Sequence, residues 1–221
     1  MPVAAAPVKI ARPRARVARD ADRTQAAILA AATQEFARFG LGGARVDRIA
    51  ARARTNKRML YYYFGKKDML FLAVLEAAYA RIRAAEKELS LLDVPPAEGV
   101  RRLVEFTWNY YLRHPEFLTL LNSENLHRAR HLKQSSRIRE MNSPLIQTLG
   151  EILERGRRDG VFRGGIDPVQ LYISIAGLAY FYLSNNATLS TIFNRDLMSA
   201  KAMAERLSHI TEVVMGYVLR S

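Results

Sequence analysis

Apolar residues recur at helical spacing through most of the chain, and no segment shows the strict alternation of a strand. Ile28, Leu29, Ala32, Phe36 and Phe39 fall on one face of a first helix that starts near Asp22 and ends at Gly40, Gly42 and Gly43. Two short helical pieces follow, about Val46–Arg52 and Asn56–Tyr63, broken near Arg54-Thr55, with Asn56 as the N-cap of the second. A longer helix over 67–89 carries Leu70, Val74, Leu75, Ala78 and Ile82 on one side. Pro95-Pro96 opens another, which stops at His114-Pro115. Helices are then expected at 116–126, 128–141, 144–158, 168–185 and 199–219, with Ser143-Pro144 and Asp167-Pro168 as start signals. The pattern predicts an all-α protein.

The helix over 168–185 is apolar on most of its circumference, with Leu171, Ile175, Leu178 and Tyr182 on one side and Ile173, Ala176, Tyr180 and Leu183 on others. A helix of that kind must be covered on both sides. Its strongly apolar part, Leu171 to Leu183, is shorter than the ~20 residues a bilayer requires, so no membrane association is expected. The last helix repeats Met203, Leu207, Ile210, Val214, Tyr217 and Val218 at similar spacing.

Charge divides the chain. Its net charge is +13 over 221 residues, and residues 1–68 hold 15 Lys/Arg against 5 Asp/Glu. The remaining residues hold 19 against 16, so most of the excess sits in under a third of the sequence. That asymmetry points to a polyanion-binding segment joined to a near-neutral one, the alternative being a solvated basic surface. Residues 1–20, where prolines alternate with alanine and arginine, read as a disordered basic arm; Arg12, Arg14, Arg16 and Arg19 could reach phosphates or a minor groove. The start of the chain lacks an apolar run of signal-peptide length.

Catalytic and metal chemistry find little support. There is no cysteine, which excludes disulfides, thiolate metal sites and Cys nucleophiles, and there is no G-x-S-x-G, P-loop or dinucleotide fingerprint. Glu124, His127 and His131 share one face of a helix, but Arg128, Arg130, Lys133, Arg137 and Arg139 surround them, and a solvated basic face is expected instead of a metal site. No cofactor is implied, and the chain does not read as an enzyme.

Two short helices joined by a tight turn, after a longer helix and within the basic third, describe a helix-turn-helix. Ile49, Ala50, Ala53, Leu60 and Phe64 fit its packed face; Lys57, Arg58, Met59, Tyr61, Tyr62 and Tyr63 are left outward or sideways. The run I-A-A-R-A-R-T-N-K-R-M-L-Y-Y-Y-F-G-K-K-D-M-L at 49–70, with E-F-A-R-F-G at 35–40, resembles the signature of the Tet repressor (TetR) family of one-component regulators. The match is specific over 24–75. Five positions depart from the pattern: Arg54 replaces the usual turn glycine, Arg45 the usual Thr cap, Tyr63 a His, and Arg58 and Met59 two small residues.

The resemblance implies an N-terminal three-helix DNA-binding domain at 21–66 and a larger helical domain at 67–221 for effector binding and dimerisation. It implies a cytoplasmic homodimer that binds an inverted-repeat operator in double-stranded DNA and is released by an unknown small molecule. A nonspecific architectural DNA-binding dimer is the alternative. At the matching positions, Tyr61, Tyr63, Lys67, Arg45 and Arg48 would meet the sugar-phosphate backbone, and Asn56 would lie beside it. Lys57 and Arg58 would read guanine, or make phosphate contacts only, and Met59 could touch a thymine methyl. Ordinary core is the other role for the tyrosines, more so for Tyr62 than for Tyr61 or Tyr63. In the family the last two helices pair with their symmetry mates. Leu171, Ile175, Leu178, Tyr182, Leu207, Ile210, Val214 and Tyr217 are then the candidate interface, with a single-chain core as the alternative for either helix. Trp108, Tyr111, Asn122, Asn125 and Tyr180 are candidate effector contacts, each open to a plain packing role.

Overall fold

A computed structural model describes residues 13–220, with side chains from residue 20 onward, residue 142 excepted. Among the described residues ten α-helices run in the order α1 Pro13–Gly43, α2 Val46–Arg52, α3 Lys57–Phe64, α4 Lys67–Lys87, α5 Pro96–Arg113, α6 Pro115–Leu126, α7 Ser136–Arg158, α8 Pro168–Ser184, α9 Asn186–Ile192 and α10 Ala200–Val218. Short 3₁₀ turns at Leu91–Asp93 and Leu132–Gln134 precede α5 and α7. Among the described residues no strand forms, only one antiparallel bridge between Phe162 and Leu219 that ties the α7–α8 loop to the C-terminus. The fold is all-α, as the periodicity indicates.

Helix starts follow local chemistry. Asp167 accepts hydrogen bonds from the backbone N–H groups of Val169 and Gln170, at 2.7 and 3.2 Å, and Pro168 takes the first helical position. Ser135 and Ser199 cap α7 and α10 in the same way. One buried cluster runs from Ile28 of α1 through Trp108 of α5 to Val218 of α10, so the first three helices share their core with the rest of the chain. The link is α4. Its Phe71 ring meets Phe36 edge-on at 5.1 Å, and its other end carries Ile82, Arg83 and Glu86 into the interior.

Three elements differ from the sequence reading. The first helix begins at Pro13, upstream of the expected Asp22, because alanine and arginine are strong helix formers and Pro suits a first turn. Residues 1–12, the rest of the expected arm, lie outside the described residues. Secondly, the helices expected at 128–141 and 144–158 are replaced by one helix with Pro144 inside it. Pro144 and Glu140, whose carbonyl loses its partner there, both lie on the exposed face, where water replaces the lost bond. The stretch after α6 turns instead, through left-handed Arg128 and Ala129. Thirdly, α9 is an extra short helix between the last two expected ones.

Candidate nucleic-acid interface

Glu35 builds the platform for α2. Its carboxylate is 1% exposed, and Oε1 accepts from the Arg45 backbone N–H at 3.0 Å and from Arg48 Nε at 2.6 Å. Arg45 gives α2 no side-chain cap, so the buried carboxylate from α1 takes over part of that duty. Ile49, Ala50 and Leu60 are buried between α1, α2 and α3, in agreement with the packed face read from sequence.

The turn between α2 and α3 is made without glycine. Arg54 adopts φ +51°; the Thr55 N–H donates to the Ala50 carbonyl at 3.0 Å, and the Arg54 N–H to that of Ala51 at 3.1 Å. This is the Schellman closure, which ordinarily uses glycine because a Cβ is crowded in the left-handed region. Arg54→Gly is therefore expected to stabilise the chain by about 1 kcal/mol, raising the unfolding temperature by ~2–4 °C. Thermal unfolding followed by circular dichroism checks this; an unchanged or lower midpoint would show that the turn carries no strain.

Asn56 caps α3 as expected, its side chain accepting from the Met59 N–H at 3.0 Å. The helix then displays its polar positions in two groups. Lys57 is exposed and ion-paired to Asp47 of α2. Arg58, one residue on, is exposed, and its side chain forms no hydrogen bond or ion pair among the described residues. Met59 is half-buried. Tyr61 and Tyr62 are 50% and 78% exposed, whereas Tyr63 packs against the core and meets Tyr62 edge-on at 5.1 Å. The core role suggested for Tyr62 is thus corrected: three consecutive helical positions cannot all face inward, and the one packed against the core is Tyr63.

Other expected contacts are occupied by the fold. Arg48 holds Glu35, donates to the Gly43 carbonyl at 2.9 Å and lies 4.2 Å over the Phe39 ring. Lys67 Nζ donates to the Ala44 carbonyl at 3.2 Å. Even so, Arg45, Arg48, Arg52, Arg54, Lys57, Arg58 and Lys66 are all exposed, against the single exposed acid Asp47 between residues 45 and 67. One surface of α2, the turn and α3 is consequently cationic, and its N-capped α3 projects a free guanidinium.

This whole surface lies within residues 28–74, which match the model of bacterial regulatory proteins of the tetR family. Residues 96–214, over half of the chain, match the Tetracyclin repressor-like C-terminal domain. The chain belongs to the TetR family. It is 42% identical to the HTH-type transcriptional repressor NicS of Pseudomonas putida over 198 residues, covering 90% of this chain and 93% of that protein. It is also 42% identical, over 49% of its length and 53% of the other's, to the HTH-type transcriptional repressor SCO4008 of Streptomyces coelicolor. Among solved structures, the transcriptional regulator SCO4942 of Streptomyces coelicolor superposes with a TM-score of 0.66 at 25% identity, over 90% of this chain and 99% of that one. The TetR fold and a transcriptional regulator's architecture follow for this chain, and its matched relatives are transcriptional regulators.

The remaining candidates divide by burial. Leu171, Ile175, Tyr182, Ile210 and Val214 are buried within the chain itself, Leu178 and Leu207 are half-buried, and Tyr217 is 44% exposed. The candidate interface therefore needs correcting. The face formed by most of those residues packs inward, with α8 and α10 both lying against α5. The exposed apolar stripe is Val169, Ile173 and Phe181 on α8, at four-residue steps with Gly177 between; Val213 and Tyr217 are exposed on α10, Tyr217 with the Arg163 guanidinium 3.7 Å over its ring. Trp108 and Tyr111 are core residues; Tyr180 donates to Asn122, which donates to Ser184 at 2.8 Å, and Asn125 is exposed.

Glu124 and His131 correct the expected solvated face. Both are buried, because Glu124 accepts from the His131 N–H, His131 Nδ1 and the Leu132 N–H at 2.8, 2.6 and 3.0 Å. His127 turns to the Ser123 carbonyl, and Ser123 accepts from the Leu41 N–H at 3.2 Å, joining α6 to the end of α1. Among the described residues no group of three or more His, Asp or Glu is placed to hold a metal, and no helix is long and apolar enough to cross a membrane.

Proposed function

We propose that this TetR-family regulator is a cytoplasmic homodimeric repressor that binds an inverted-repeat operator through α3 and leaves it when a small molecule occupies the C-terminal helices. The observation that carries the DNA-binding part is the cationic α2–turn–α3 surface, with Arg58 unpaired at the capped end of a short exposed helix. Arg58 and Lys57 read base edges; Arg45, Arg54, Tyr61 and Tyr62 hold phosphates, and Tyr63 supports them from behind. Lys57 exchanges Asp47 for DNA. The apolar stripe on α8 and α10 supplies the two-fold interface that a helix-turn-helix needs to meet two half-sites.

Release follows from the shape of α4. This helix of 21 residues is about 32 Å long, is joined to α3 by two residues and ends in the C-terminal interior. A displacement at its far end carries α3 with it. Footprinting of the DNA flanking the gene tests this reading. The expected protection is two-fold symmetric, with half-sites about one or two helical turns apart; asymmetric protection of a single half-site contradicts the dimeric mode.

A further inference from the structure

The C-terminal interior holds an ion pair that packing alone does not account for. Arg83 and Glu86 lie one turn apart on α4 with side chains 7% and 4% exposed, and Arg83 Nη1 is 2.9 Å from Glu86 Oε2. Alignment is poor: Arg83 Nε and Nη1 and Glu86 Oε2 complete no hydrogen bond among the described residues. Only Nη2 is satisfied, donating to the Tyr172 hydroxyl at 2.7 Å. A half-satisfied buried pair is a poor stabiliser compared with apolar side chains of similar volume.

Both residues border a cavity of about 340 Å³. Its other walls are Leu91 and Leu92 of the 3₁₀ turn and Met141, Leu145 and Thr148 of α7, and exposed Lys87 and Asp93 stand at the rim. The volume is near the lower end for small-molecule sites. The unsatisfied atoms are themselves covered, so a ligand meets them as the two side chains turn toward the cavity. A carboxylate can shed its charge by taking a proton, whereas a guanidinium cannot, so the charge left uncompensated at the cavity wall is positive.

We propose that this cavity binds a small monocarboxylate with an apolar body, whose acid group takes the free Nε and Nη1 of Arg83 while Glu86 accepts one proton from solvent and donates it as an O–H hydrogen bond to the ligand. Two carboxylates beside one guanidinium cannot both stay charged in a dry site, and the lower-pKa ligand keeps the charge. Burial pushes the Glu86 carboxyl up to about 7, against the opposing pull of Arg83. The tyrosines around the ion pair, none of which lines the cavity, are buried as well. Burial pushes the hydroxyls of Tyr79 on α4, Tyr110 and Tyr111 on α5 and Tyr172 on α8 upward, and the wall contributed by α7 carries no charge. Binding thus requires Glu86 neutral. Affinity is full below about pH 7 and falls about tenfold per pH unit above it.

The site rests on the proposed regulatory reading only for its consequence on DNA, so binding is measured on the full chain without DNA. Benzoate and hexanoate, with benzamide, hexanamide and benzylamine as neutral and cationic counterparts, are titrated by calorimetry and thermal shift between pH 6 and 9. At least one acid is expected to bind at least tenfold more tightly than its amide, with the stated loss above pH 7. Glu86→Gln should keep acid binding and flatten its pH profile; Arg83→Met should abolish it. If Arg83→Met unfolds, the double variant Arg83→Met with Glu86→Met removes the ion pair as a unit and should also fail to bind. Equal binding of acids and amides, preference for the amine, no binding of either acid at 10 mM, or an unchanged pH profile in Glu86→Gln would overturn the proposal. Binding of an acid that leaves DNA affinity unaltered would preserve the site and separate it from release.

Discussion

Arg58→Ala should weaken operator binding by ~1–3 kcal/mol per half-site and relax base preference at one position in each half-site. The expectation comes from a difference between neighbours. Lys57 is held by Asp47, while Arg58 is exposed on the first turn of α3, unpaired, two residues after the Asn56 cap. Its planar fork can make two parallel hydrogen bonds to guanine O6 and N7 without first breaking an intramolecular bond. Stability should hardly change, since nothing in the fold depends on that side chain. Affinities for the operator and its single-base substitutions, measured at one salt concentration, check the result. A uniform loss over all sites would make Arg58 a phosphate contact.

Phe181→Arg should give monomers and abolish operator binding while leaving the chain folded. Phe181 is 58% exposed and Ile173, two four-residue steps before it, is 55% exposed, on a helix whose opposite face is already buried against α5. A charge placed at Phe181 therefore enters solvent in the single chain, but would be buried without a counter-charge in a two-fold pair. The chain's own core is untouched, which distinguishes this substitution from one at Ile175 or Val214. Light scattering should report about half the native mass, with an unchanged helical spectrum. A dimer that still binds DNA would place the interface elsewhere.

Local signals were legible in the sequence and long-range ones were not. Asn56, the Asp167-Pro168 start of α8 and the packed trio Ile49, Ala50 and Leu60 depend on spacing within one or two turns, so periodicity and capping reveal them. Which side of α8 faces inward is another matter. A helix apolar all round carries no direction in its sequence, and only its contact with α5 selects Leu171 and Ile175 for the core. The Ser143-Pro144 pair looks like a helix start, yet an exposed proline can sit inside α7 because solvent satisfies the freed carbonyl. Glu124 and His131 are surrounded by arginines in sequence but by Phe71 and the α6 end in space. Nothing in the sequence singles out Arg83 and Glu86 at i, i+3, and their burial becomes visible only once α5, α7 and α8 pack against α4.

Competition at fixed, physiological salt tests the central claim most directly. The chain is titrated onto labelled DNA from its own upstream region, and unlabelled random-sequence duplex is then added in increasing excess. A sequence-specific regulator retains its site at ~10³-fold excess or more, because its specific and nonspecific affinities differ by at least that factor. Release at equimolar random DNA, with a salt dependence identical for both duplexes, would mean that the cationic surface of α2 and α3 binds phosphates without reading sequence, and would contradict the account.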